Sequence, residues 1–255
     1  NGSTHGTSII INGGNITSTG STAIYHPQAG VMEINGGSIT GGLTGVEIRA
    51  GEVTVAAGII TGLGTPTNVE PNGNGTTSTG AGIAIAQHTT ELPINLTITG
   101  GEINGYSAIY ESNVEDNPSE SIDLVTLSID GGEYNAINGG IVSVYSEDCK
   151  EFITNGTFSH SVKDYVASSL NYELISDMYS YHSTIGDALD AAQPGDTIEF
   201  IGTLPEDIID TNTVKYIDGN NVTTFEVPDG TEIELPTPDS RSGYRFAGWR
   251  DTQGN

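Results

Sequence analysis

Glu102 and Glu133 each stand directly after a glycine pair, in LTITGGEIN (96–104) and LSIDGGEYN (127–135). If these stretches are neighbouring strands in register, the two carboxylates lie about 5 Å apart. Such a separation suits the two carboxyl groups of a retaining glycosidase. It suits half of a calcium site equally well, and two solvated glutamates at an exposed edge would show it too. A second group of side chains suits ligand binding. Tyr25 and Tyr110 hold equivalent places in a short recurring motif, and the apolar face of a sugar stacks on such rings. His26 is expected to share an outward column with Arg49, and Glu111 opens an acidic segment. The phase of the motif leaves two arrangements open: the tyrosines form an exposed strip, or they belong to the core. Aligning Tyr25 with Ile48 of Val46-Glu47-Ile48-Arg49 favours the core.

Other chemistry finds little support. The five histidines show no H-x-x-E-H or H-x-H spacing, so a zinc site is not expected. A polysaccharide lyase needs a basic residue beside a carboxylate, yet the first 160 residues hold only Arg49 and Lys150 as Lys or Arg and no Asp before Asp116. A hydrolase would want two or three converging aspartates, and there is no Asp-Asp pair. Cys149 is the single cysteine, which excludes an intrachain disulfide and reads as a small buried hydrophobe rather than a nucleophile. The Asn-x-Ser/Thr sequons at Asn15, Asn74, Asn95, Asn155 and Asn221 are expected by chance in a chain this rich in Asn and Thr.

These residues are set in a repeat. The glycine pair recurs in IIINGGNIT (9–17), MEINGGSIT (32–40), VTVAAGIIT (53–61), LTITGGEIN (96–104), LSIDGGEYN (127–135) and EFITNGTFS (151–159), two copies carrying Ala-Gly or Asn-Gly instead. Between the copies lies the second motif: Ala23-Ile24-Tyr25, Val46-Glu47-Ile48, Ile83-Ala84-Ile85, Ala108-Ile109-Tyr110 and Val142-Ser143-Val144. Short strands recurring at about 20–25 residues without a helix predict a β-solenoid. One repeat cannot bury its own apolar residues, whereas stacked repeats make columns of Ile, Val and Ala. Glycine marks the corners where φ is positive, and Asn side chains form ladders between repeats. Two long spacings place insertions at 64–80 and 111–123, where a solenoid commonly builds its functional face.

Residues 9–159, with their repeated I-x-G-G-x-I and A-I-Y units, resemble the right-handed parallel β-helix modules of surface proteins from gut Firmicutes, whose fold is pectate-lyase-like. In the last stretch, Val227-Pro228-Asp229-Gly230-Thr231, Leu235-Pro236, Gly243-Tyr244 and Phe246-Ala247-Gly248-Trp249 resemble the Listeria–Bacteroides repeat of internalin-type surface proteins. That module's closing strand and Trp have no counterpart here. Between these stretches, Thr184–Ala192 is the best helix, with Ile185, Leu189 and Ala192 on one stripe, a Thr184/Asp187 capping pair and Pro194-Gly195 at its end. A strand follows at Thr197–Ile201.

The expected fold is therefore all-β: a parallel β-helix over 1–160, an α+β connector over 161–210 and a partial β-grasp-like repeat over 211–255. The resemblance implies a bacterial, extracellular fragment of a longer surface protein, an adhesin or stalk without catalysis, monomeric, binding a glycan or another surface protein; a carbohydrate-active lyase or hydrolase is the alternative. Composition agrees with an exposed setting. With 33 acidic and 7 basic side chains, the formal charge is -26. Nucleic acid and anionic membranes are disfavoured, because both need clustered Lys and Arg. Hard cations are favoured, with calcium the candidate cofactor at Glu102 and Glu133. No apolar run of 18 residues is present, so no transmembrane segment is expected.

Overall fold

The glycine-pair stretches lie side by side as parallel strands: Ser8–Ile11 and Asn15–Ser18, then Val31–Gly41, Gly51–Gly62, Ile94–Ile98 with Glu102–Gly105, Val125–Ala136, and Ile153–Phe158. Their register is the one in which the motif copies align: Ile9 lies beside Met32, Met32 beside Val53, Val53 beside Leu96, and Leu96 beside Leu127. The computed structural model describes residues 6–67, 80–204, 210–218 and 221–235. The chain divides into two units, Asn1–Ala167 with Asp177–Ser180, and Ser168–Ser176 with Tyr181–Asn255.

The reason for the register is written into the backbone. The second residue of every pair, Gly14, Gly37, Gly58, Gly101, Gly132 and Gly156, has φ between 89° and 131°. An L side chain there is strained, so each bend falls at the same point of its repeat. Equal positions then stack. Ile11, Ile34, Val55, Ile98, Ile129 and Ile153 form one apolar column, buried from Ile34 onward. Ile16, Ile39, Ile60 and Ile103 form another, which continues into Tyr134 and Phe158. These two rings stack with centroids 4.9 Å apart, close to the spacing of adjacent strands. The buried Tyr134 hydroxyl donates to the Gly131 carbonyl at 2.8 Å, and burial pushes its pKa up. The expected ladders are present too: Asn35 donates to Asn12 at 3.0 Å and Asn135 to Asn104 at 3.1 Å.

A second parallel sheet alternates with the first along the chain. It consists of Ile24–His26, Val46–Ile48, Ile83–Ile85, Ile109–Glu111 and Val144–Ser146. Here the register corrects the alignment drawn from the sequence. Tyr25 lies beside Glu47, not Ile48, and His26 lies beside Ile48. Tyr110 lies between Ala84 and Tyr145. In a strand a one-residue slip moves every side chain to the opposite face. Ile24, Val46, Ile83, Ile109 and Val144 therefore form the core column, and all but Ile24 are at most 1% exposed.

The segment 111–123 leaves the second sheet after Glu111 and contains a short helix, Ser119–Ile122. Most of the insertion at 64–80 lies outside the described residues, as do positions 236–255, which carry much of the resemblance in the last stretch. In the second unit the helix forms at Ile185–Ala191. The Thr184 hydroxyl accepts the Asp187 N–H at 3.1 Å, the expected cap. Its Ala188 and Leu189 pack with Tyr172, Leu174, Ile198, Phe225 and Val227. Thr197–Phe200 pairs antiparallel with Tyr172–Ile175 and parallel with Asn221–Pro228, which forms a hairpin with Thr211–Asp218.

The bends are directly testable. A Cβ at Gly14 would meet nothing within 4 Å, whereas one at Gly101 would sit 2.9 Å from the Gly58 carbonyl oxygen. Gly14→Ala is expected to cost about 1–2 kcal/mol, from backbone strain alone. Gly101→Ala is expected to cost roughly 2 kcal/mol more, through overpacking. Urea unfolding midpoints of the two variants check the difference.

Candidate functional site

The slip in register reorganises the candidate binding residues. The middle position of each short strand faces away from the core column, so Tyr25, Glu47, Ala84, Tyr110 and Tyr145 share one outer column. At one end of it, Tyr110 and Tyr145 stack with centroids 4.9 Å apart and planes inclined by 24°. Tyr145 is 36% exposed and Tyr110 half-buried. Ala84 and Glu47, the next two positions of the column, are buried, so the exposed part of the step is at Tyr145.

Toward the other end the outer face is covered. Arg49 is fully buried, with Nη1 3.7 Å from a Glu47 carboxylate oxygen and Nη2 donating to Glu115 of the 111–123 segment. The guanidinium lies near Tyr25, whose hydroxyl is raised chiefly by burial, with Arg49 pulling the other way. Arg49 Nε and Nη1 and the Tyr25 hydroxyl are buried without a hydrogen-bond partner. Tyr25 and Arg49 are thus brought together, with the guanidinium and the tyrosine hydroxyl buried and the rest of Tyr25 partly exposed.

His26 and Glu111 share the other face of the sheet, in a column with Ile48, Ile85 and Ser146. His26 does not line up with Arg49 in an outward column. It is 1% exposed, its Nε2 lies 3.3 Å from the Gly30 carbonyl oxygen, and burial lowers its pKa. Glu111 is 1% exposed as well. Its Oε2 accepts from the Ser146 hydroxyl at 2.7 Å and from the N–H groups of Glu147 and Asp148, both at 3.1 Å. Burial raises its pKa despite these donors. Glu111 pins a corner between two repeats.

Glu102 and Glu133 are register partners on adjacent strands, which puts their backbones about 4.8 Å apart. Each carboxylate accepts an amide N–H from the Asn two residues on: Asn104 to Glu102 at 2.8 Å and Asn135 to Glu133 at 2.9 Å. The Asn135 amide also bridges to Asn104. The pair is one step of a polar ladder. It offers two carboxylates where calcium takes six to eight oxygens. Among the described residues no three His, Cys, Asp or Glu side chains are grouped to hold a metal.

Tyr145, Glu47 and Glu115 are missing from the residues singled out in the sequence. A usable signal existed for Tyr145. Ile24-Tyr25-His26, Ile109-Tyr110-Glu111 and Val144-Tyr145-Ser146 share a β-branched, tyrosine, polar order. Nothing local links Glu115 to Arg49, 66 positions apart. Cys149 is half-buried with its thiol directed to the Val125 carbonyl at 3.5 Å, and burial pushes its pKa up to about 11. Such a thiol is a poor nucleophile at neutral pH. Among the described residues no helix is long and apolar enough to cross a membrane. No family model matches the chain, and no curated protein or solved structure is significantly similar to it.

The raised pKa of Glu111 carries a pH dependence. A carboxyl raised on folding favours the native state while protonated. That contribution is full below the ordinary carboxylate range and is lost as pH rises through the raised value. Glu111→Gln keeps an acceptor for the three donors and removes the charge. Between pH 4 and pH 8, wild-type melting temperature is expected to fall relative to that of the variant. Parallel melting curves across this range would contradict the assignment.

Proposed function

We propose that the chain is part of a bacterial cell-surface or secreted protein in which a right-handed parallel β-helix carries a non-catalytic binding face for a glycan or a surface protein. The parallel, in-register stacking of successive repeats supports the helix. The right hand follows from the preference of parallel crossover connections for that hand. The repeat stretches and the last segment resemble modules of extracellular surface proteins, which supports the location.

One observation carries the binding role: the Tyr145 ring lies exposed, stacked on Tyr110 at 4.9 Å, on the outer face of the second sheet. Two rings held at strand spacing form a rigid apolar step with hydroxyls at its edge. A pyranose offers the complementary surface, one apolar face ringed by hydroxyl groups. Order in the rings is supplied by the backbone, so little entropy is lost on binding. Toward the other end of the column, buried Arg49 holds the 111–123 segment through Glu115.

The register of Glu102 and Glu133 favours a second reading, a retaining carbohydrate-active enzyme. Their engagement with Asn104 and Asn135 supports the ladder role instead.

An array of neutral, acidic and mucin-type glycans tests the first reading, and new reducing ends from the same panel test the second. Binding to at least one glycan is expected, reduced about tenfold by Tyr145→Ala, the size of effect an anchoring aromatic contributes. New reducing ends abolished by Glu102→Gln would replace the binding reading with the enzymatic one.

A further inference from the structure

A groove of about 560 Å³ opens between the 111–123 segment and the turn that joins Val144–Ser146 to Ile153–Phe158. It is separate from the Glu102–Glu133 ladder and is not lined by the tyrosine step. Its floor is apolar and nearly covered: Ile122, Val125 and Phe152 are between 6% and 8% exposed. Two exposed carboxylates, Asp123 and Asp148, stand on different elements along its rim.

The walls are held in place. Asn113 donates its amide to the Asn117 carbonyl at 2.9 Å, and the Asn117 N–H returns a bond of the same length to the Asn113 side chain. The buried Asn117 amide in turn donates to Gln87 and to the His88 carbonyl. Lys150 is the one cation of the lining, and its ammonium sits 4.5 Å above the centre of the Tyr165 ring. That contact engages the ammonium, which still lies close enough to Asp148 to favour its charged form, while Asp123 is left to a second basic group. The flanking Asp116, Glu120, Glu147 and Glu151 are all exposed, so the approach to the groove is acidic as well.

We infer that this groove binds a lysine- or arginine-bearing extended segment of another protein. The cavity makes the site, and its charge selects the occupant. Long basic side chains lay an aliphatic stem on a narrow apolar floor and keep the charged head at the rim, where Asp123 and Asp148 stand. The exposed acids around the groove steer a basic segment and add to its capture. A sugar is less suited here, because Phe152 shows almost no ring face. A metal ion is less suited because Asp123 and Asp148 have no third acidic, His or Cys ligand with them among the described residues.

The test uses the intact chain and a fluorescent octapeptide alternating lysine with leucine, against a matched peptide with glutamate for lysine. Anisotropy should show binding of the lysine peptide alone, weakening as salt is raised through the range where surface charge is screened. The double variant Asp123→Asn/Asp148→Asn should bind about tenfold more weakly, two exposed ion pairs being lost. Glu120→Gln/Glu151→Gln, equal in charge change but outside the lining, should bind within about threefold of wild type. Equal weakening by both double variants would overturn the inference, leaving only a diffuse acidic surface. Tighter binding of a free-amine chito-oligosaccharide than of the peptide would overturn the ligand class. Tyr145→Ala should leave peptide binding unchanged, so the tyrosine step and this groove fail or stand separately.

Discussion

Everything in the first unit depends on each repeat handing its backbone hydrogen bonds to the next in the same register. A backbone N–H or C=O left without a partner inside the protein costs as much as a lost hydrogen bond. Satisfying a whole repeat at once therefore leaves little freedom to slide. The left-handed glycines remove what freedom remains. Each bends its strand at one point, and Gly37, Gly58 and Gly132 lie against the glycine pair of the repeat before, as Gly101 does against Ala57-Gly58. Columns of like residues then follow. Apolar columns become core, Asn columns become ladders, and aromatic columns become stacks.

The same frame explains why polar groups here are costly to alter. Arg49 and Glu111 sit where the column rule would tolerate apolar residues, Ile48 and Ile85 being the column partners of Glu111. Both are buried, and both tie a segment of irregular backbone to a regular strand. Arg49 reaches Glu115, and Glu111 gathers the N–H groups of the turn after Ser146. Breaking a buried charge from its partner is far more damaging than replacing the pair by apolar residues. Such ties are therefore better understood as fixing where the 111–123 segment and the 147–151 turn lie than as a general source of stability. The groove between those two segments inherits its shape from them.

The two motifs were unequally legible for a physical reason. The glycine pair encodes a conformation that other residues resist, so its copies align without ambiguity, and the structure pairs them as the sequence aligns them. The short motif encodes only alternation. Ala23-Ile24-Tyr25 and Ile24-Tyr25-His26 are both acceptable as a short strand, and the wrong choice turns Tyr25 toward the core and His26 outward. The in-register pairing of Glu102 with Glu133 was readable because both follow a glycine pair. The stacking of Tyr110 on Tyr145 was not, because no glycine sets the phase of those strands.

By itself, the sequence determined the β character of the chain, its repeats, the register of the glycine-pair strands, the position and cap of the helix at Ile185–Ala191, and the acidic surface. All of these follow from local conformation or from composition, which a linear pattern carries. Tertiary structure alone decided which face of the second sheet Tyr25, Tyr110 and Tyr145 occupy, that Arg49 is buried against Glu47 and Glu115, and that Asp123 and Asp148 border one groove. Those outcomes depend on which residues of different repeats become neighbours. That is settled by the sum of hydrogen bonding and packing over the whole stack, a sum no single segment contains.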